Sequence, residues 1–181
     1  MKVLTIMGSP KKNGKTATAL DLFEEKIKSE GHEVNRINIT DYKIINCVGC
    51  NGCMLKTHKP GCVQKDDLLS IFEIMLSSDI IVYATPLYSY SYSSQLKPFM
   101  DRHYCLVNTR LLEGKRTVLL VTSAGKVEDN ADLLKKPFEK AFHDLLHTDV
   151  IGEYFIPFSN APDFLERAQC TAALLANNIL F

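Results

Sequence analysis

The amino-acid sequence predicts an α/β fold: a three-layer, doubly wound sheet of five parallel strands with helices on both faces. Three observations lead there. Five short runs rich in β-forming residues are each followed by a segment of helical period, the first run breaks at Gly8-Ser9-Pro10 straight into a helix, and the alternation persists to the last helix. Right-handed crossovers leave few other arrangements for that order.

Val3 to Met7 forms the first strand, and Ala17, Leu20, Phe23 and Ile27 then recur at helical spacing until Gly31. A second strand is expected at about Val34 to Ile39, followed by an irregular Cys/Gly/Lys insert at about 41–65. Asp66-Asp67 is placed to cap an apolar helix running to about Leu76. The run Asp79 to Ala84, closed by Thr85-Pro86, reads as a buried strand. Leu96, Phe99, Met100 and Tyr104 supply one helical face, Thr117 to Thr122 a fourth strand, and Pro137 to Leu146 a helix. Val150 to Ile156 is the fifth strand, and Pro162 opens the last helix. With no linker or repeat, 181 residues read as a single domain, 1–181.

Composition narrows the function. Hydrophobic residues at 46% and charged residues at 23% exclude a disordered chain. Twenty-one Lys and Arg balance twenty-one Asp and Glu, so no global field gathers nucleic acid or an anionic membrane. The first apolar run is too short for a signal segment and no run reaches membrane-spanning length, which predicts a cytoplasmic protein. Four of the six cysteines, Cys47, Cys50, Cys53 and Cys62, fall within sixteen residues, a clustering that in a reducing compartment points to metal or redox chemistry.

In a doubly wound sheet the ligand crevice lies beyond the carboxyl ends of the strands. Three loops should meet there: 8–16, 86–92 and 123–125. The first, Gly8-Ser9-Pro10-Lys11-Lys12-Asn13-Gly14-Lys15-Thr16, offers hydroxyls, amides, lysines and a helix start, the chemistry of a phosphate site. Gly14-Lys15-Thr16 matches the end of a nucleotide-hydrolase P-loop, but five residues separate Gly8 from Gly14 where that motif has four. The dinucleotide GxGxxG pattern is absent as well, and a monophosphate such as that of FMN fits better. The second loop carries Tyr88, Tyr90 and Tyr92 among serines, aromatic area suited to a flat ring or a partner subunit.

The cysteines read three ways. The triple Cys47-x2-Cys50-x2-Cys53, closed by Cys62, has the spacing that wraps a [4Fe-4S] cluster, while zinc or redox-active thiols remain alternatives. Cys105 and Cys170 are expected to be buried apolar residues, and His143 and His147, four apart on a predicted helix, to be solvated. His32, His58 and His103 receive no role.

The phosphate loop, Cys47-Val48-Gly49-Cys50-Asn51-Gly52-Cys53, Asp66-Asp67, Pro86-Leu87-Tyr88 and Gln95-Leu96-Lys97-Pro98-Phe99-Met100-Asp101-Arg102 together resemble the flavodoxin-like NAD(P)H-dependent FMN reductases, in particular their iron-sulfur flavoprotein branch. The resemblance covers residues 1 to about 125 and implies strand order 2-1-3-4-5, bound FMN, and a homodimer or homotetramer with flavin sites near subunit contacts. It implies that Ser9, Lys11, Asn13, Lys15 and Thr16 hold the FMN phosphate, that Pro86, Leu87, Tyr88, Ser89 and Tyr90 border the ring, and that Ser123, Ala124 and Gly125 approach from the third loop. It also implies an oxidoreductase passing electrons from NADPH or NADH through FMN to a quinone, flavin, nitro- or azo-aromatic, or through a cluster to a redox partner. A non-enzymatic flavodoxin-like electron carrier is the alternative. Three departures stand out: Lys11 and Lys15 occupy positions where relatives often have Arg and Asn, and Tyr90 one where they often have Gly. The spacing of eight between Cys53 and Cys62 is also longer than that branch usually shows.

Overall fold

The computed structural model describes residues 1–55 and 61–180. His58 lies outside the described residues, as does part of the cysteine-rich insert. Five strands, β1 (Lys2–Met7), β2 (Glu33–Asn38), β3 (Ile80–Pro86), β4 (Arg116–Thr122) and β5 (Asp149–Ile156), form one parallel sheet in the order β2-β1-β3-β4-β5. This is the expected strand order. The β4–β5 register shifts at Thr117/Val118: Thr117 pairs with Val150 and Val118 with Gly152.

Side chains alternate across the sheet with period two, and both faces are covered. Val3 and Met7 of β1 and Ile80, Val82 and Ala84 of β3 pack under α1 (Lys15–Ser29) and α5 (Phe164–Leu180). Leu4 and Ile6, with Ile81 and Tyr83, face the opposite layer, which holds α2 (Leu68–Leu76), α3 (Lys97–Arg102) and α4 (Lys135–Glu139). All seven residues of β3 are buried, as a central parallel strand requires.

Two segments depart from the expected helices. The helix anticipated over Pro137 to Leu146 is a short α4 continuing into a π-helical stretch, Lys140–Leu145. His147 falls beyond it at φ 57°, so His143 and His147 do not share a helical face. A 3-10 stretch, His103–Thr109, extends α3. Cys105 in that stretch is buried, as expected, but Cys170 on α5 is exposed. No helix among the described residues is long and apolar enough to cross a membrane.

Candidate active site

The chain leaves β1 under tight constraint. The Gly8 amide donates to Ala84 O at 2.8 Å, and a Cβ on Gly8 would lie 2.9 Å from both Ala84 O and Leu96 Cβ. Ser93 Oγ donates to Gly8 O from the tyrosine loop. Close approach to β3 therefore fixes where the first loop starts. α1 then begins at Gly14 in extended conformation, with no side-chain cap and no acidic residue in its first turn. Its leading amides and positive dipole end are left for an acceptor.

A pocket of about 230 Å³ opens at that helix start. Ser9, Lys11, Lys15 and Thr16 line it from the first loop, Pro86, Leu87 and Tyr88 from the end of β3, and Ala124 from the loop after β4. Thr16 and Thr122 are buried with their hydroxyl oxygens 2.7 Å apart. Two hydroxyls carry two protons, and their mutual bond uses one. The second proton, at the pocket wall, suits an anionic oxygen. Lys11 lines the pocket with an exposed side chain, whereas Lys15 Nζ lies 4.5 Å from the centroid of the Phe164 ring, a cation–π contact.

Three residues outside the sequence expectations also line this pocket: Thr122, Ser159 and Asn160. Thr122 ends β4, and Ser159 and Asn160 follow β5, so the strand-end rule that selected the first three loops applies to this fourth one too. Asn13 is exposed and lies outside the pocket lining. Ser123 is buried, with Oγ donating to Gly125 O at 2.9 Å, so Ser123 and Gly125 shape the turn from behind while Ala124 faces the pocket.

Beside it lies a larger crevice of about 650 Å³, lined by Tyr88, Ser89, Tyr92, Lys97 and Pro98 with Asn46 and Cys47. Tyr88 borders both spaces. The tyrosine loop makes a two-residue turn in which the Tyr88 amide donates to Ser91 O at 3.0 Å and the Ser91 amide to Tyr88 O at 2.9 Å. Ser89 and Tyr90 sit there at φ 47° and 59°, a left-handed conformation that glycine adopts without penalty. Tyr90 is 65% exposed and lines neither cavity.

A third pocket gathers the thiols. Cys47, Cys50, Cys53 and Cys62 line it together with Arg102 and Cys105. It is narrow, about 30 Å³, and among the described residues no three His, Cys, Asp or Glu side chains are already arranged around one metal position. Burial, reinforced by the neighbouring thiols Cys62, Cys50 and Cys47, holds the Cys53 pKa above its usual value, although its own backbone amide opposes the shift. Burial also pushes Cys105 up to about 12. Cys47 borders both this pocket and the large crevice, so the three spaces adjoin in series within one chain.

Asp66 and Asp67, expected as helix caps, chiefly anchor the insert. Asp67 Oδ2 accepts from the Lys43 amide and Asp66 Oδ2 from the Ile45 amide, each at 2.7 Å. Asp67 makes no side-chain cap bond, and Asp66 reaches α2 only through a 3.3 Å bond to the Leu68 amide. Asp66 also accepts from buried Arg102. Burial opposes its charge, but Arg102 and the two amides outweigh burial and leave the Asp66 pKa below the usual carboxylate value.

A doubly wound sheet with an anion pocket at the first crossover and an aromatic crevice beside it defines a flavodoxin-like protein. The model of the NADPH-dependent FMN reductase family matches residues 1–161. An iron-sulfur flavoprotein of Archaeoglobus fulgidus is 31% identical over 97% of this chain and 79% of its own length. The FMN reductase (NADPH) of Escherichia coli is 26% identical over 96% of this chain and 82% of its own. Several other relatives named iron-sulfur flavoproteins match over only about half their length, 48 to 58%. Among solved structures, the NAD(P)H:quinone oxidoreductase from Methanothermobacter marburgensis superposes with a TM-score of 0.78 at 16% identity, covering 100% of this chain and 96% of that one, a likeness of fold. The chain belongs to the NADPH-dependent FMN reductase family and is an FMN-dependent NAD(P)H oxidoreductase.

Proposed function

We propose that the chain binds the FMN phosphate at the start of α1 and the flavin ring in the crevice beside Tyr88. Electrons from NADPH or NADH then leave by one of two routes: to a small quinone, flavin, nitro- or azo-aromatic in that crevice, or through a [4Fe-4S] cluster on Cys47, Cys50, Cys53 and Cys62 to a redox partner. The observation that carries the reading is the uncapped start of α1 opening onto a pocket with a spare hydroxyl proton, next to an aromatic crevice. When bound, FMN supplies the hydride acceptance and the conversion of two-electron to one-electron transfer.

The chain's own groups bind and orient. Ser9, Thr16 and Thr122 offer hydroxyls and Lys11 and Lys15 charge, while Asn13, exposed on the same loop, lies outside the lining. Tyr88 and Ser89 border the ring site, Pro86 and Leu87 line the phosphate pocket beside it, Tyr90 of the same turn lines neither, and Ser123, Ala124 and Gly125 form the loop at the phosphate pocket's wall. A donor set of four thiols lining one pocket with a buried cation suits a cluster, and Cys47 and Cys50 are exposed. Exposed Val48, Leu55 and Tyr90 on the insert and the tyrosine turn support a homodimer or homotetramer.

Anaerobic stopped-flow mixing of FMN-loaded protein with NADPH and with NADH tests the site, and rapid bleaching of the yellow band is expected. Bleaching by dithionite but by neither nicotinamide would overturn hydride acceptance from NADPH or NADH in favour of a non-enzymatic electron carrier. Iron and sulfide analysis after anaerobic reconstitution tests the cluster, with about four irons per chain expected.

A further inference from the structure

The thiol pocket is walled by a guanidinium whose hydrogen bonding is incomplete. Arg102, at the end of α3, is 2% exposed. Its Nη1 donates to Asp66 and, at 3.0 Å, to Ile45 O. Its Nε and Nη2 are equally buried and have no partner among the described residues. A buried, charged donor without an acceptor is costly, and a fold keeps one where something else accepts its protons. Cys62 lines the same narrow pocket as this guanidinium, together with Cys47, Cys50 and Cys53.

The Nη1 bonds fix the orientation of the fork. With Asp66 and Ile45 both at Nη1, the other nitrogens are committed to the remaining side of the plane. A guanidinium is rigid and planar, so anchoring one nitrogen pre-positions the other donors. Asp66 and Ile45 are also the residues at which the cysteine-rich loop is tied down. The same cluster of bonds that positions the loop therefore aims Arg102.

We propose that Arg102 donates hydrogen bonds from Nε and Nη2 to sulfur of the cluster held by Cys47, Cys50, Cys53 and Cys62, and thereby raises its reduction potential. This rests on the cluster reading above. One-electron reduction breaks no bond and makes the cluster one unit more negative, the electron coming from the flavin in turnover or from dithionite in the experiment. A buried cation with N–H groups directed at sulfur favours the more negative state, because hydrogen bonds to sulfur and local charge are what set such potentials. Arg102 is a tuning residue that acts on the cluster through its ligand shell.

The test uses protein reconstituted anaerobically with ferrous iron and sulfide, iron and sulfide being counted before potentials are measured by dithionite titration followed by electron paramagnetic resonance. Arg102→Met combined with Asp66→Asn removes both charges, so no carboxylate is left buried alone. Asp66→Asn alone, which loses the loop anchor but keeps the Arg102 donors, is the reference that separates a loosened loop from the loss of Arg102. At a fixed poise the double variant's ratio of reduced to oxidised cluster should fall roughly tenfold, about 59 mV for one electron. Arg102→Lys, which keeps the charge and loses the fork, should fall between. A second measurement needs no substitution: wild-type protein labelled with ¹⁵N-arginine should show ¹⁵N hyperfine coupling to the reduced cluster in pulsed resonance. Should the variants fail to fold, that coupling decides alone. A loaded double variant with the wild-type potential, or a labelled wild type without the coupling, overturns the role of Arg102 and leaves the cluster standing. A wild type that takes up no iron overturns both.

Discussion

The hydroxyl pair at the pocket wall separates binding from stability. Thr16→Val removes one hydroxyl at nearly constant volume and leaves Thr122 buried without its 2.7 Å partner. The apoprotein should lose about 1 kcal/mol, the usual net worth of one such bond. Affinity for FMN should fall further, by about 1.5–3 kcal/mol or roughly 10- to 150-fold, because a charge-assisted bond to phosphate is lost as well. The double variant Thr16→Val/Thr122→Val is the informative one. Replacing both partners by apolar groups of the same shape is nearly neutral for stability, so the apoprotein should recover while FMN affinity stays low. Urea denaturation of the apoprotein and quenching of FMN fluorescence on binding read the two quantities independently. Affinity that recovers along with stability, or an unchanged affinity in the single variant, would refute the assignment of the spare proton to a phosphate oxygen.

Lys11→Ala should weaken FMN by about 1–3 kcal/mol, and Lys15→Ala by less, because the Lys15 ammonium is already engaged at Phe164; fluorescence titration compares them. Gly8→Ala should cost about 1–3 kcal/mol, since the new Cβ meets the backbone oxygen of Ala84 at 2.9 Å, and calorimetry should show the melting temperature falling by about 2–4 °C per kcal/mol. Burial, opposed by the Phe99 carbonyl at Nδ1, lowers the His103 pKa from 6.5 to about 4. The unfolded chain therefore binds a proton that the folded chain refuses, so stability is intact above pH 6.5 and declines by roughly 3 kcal/mol as pH falls to 4. Urea midpoints across that range should show the slope, and His103→Gln should flatten it.

The sheet was legible because each strand is a short apolar run and each crossover a helical period, two signals that survive without tertiary information. Val3 to Met7 and Ile80 to Ala84 are unambiguous for that reason. The segment from Ala131 to Leu146 was less so: apolar spacing marks Phe138 and Phe142 as buried but does not distinguish an α-helix from the 3-10, α and π succession that buries them. The phosphate pocket was partly readable from the Gly/Ser/Lys loop, while Thr122, Ser159 and Asn160 carry no local motif and reach it only through strand order. Arg102 was harder still. It lies 36 positions from its buried partner Asp66, and nothing in either neighbourhood announces the pair.

That pairing explains how an insert after an edge strand comes to lie beside the site. β2 is at the sheet margin, and a loop leaving it has no strand-imposed reason to return toward the β1/β3 crevice. Two carboxylates at the start of α2 draw it back: Asp67 binds the Lys43 amide, Asp66 binds the Ile45 amide, and Arg102 joins Asp66 and the Ile45 carbonyl to α3. Asn46 and Cys47 follow at once and line the same crevice as Tyr88 and Tyr92. Cys47 thus reaches the aromatic crevice by a charged, buried anchor and not by strand order. Removing the Asp66 carboxylate alone should therefore loosen the thiol loop before it disturbs the sheet, and the order of loss is measurable: hydrogen exchange in Asp66→Asn should rise first at the Ile45 amide, with β1 and β3 still protected.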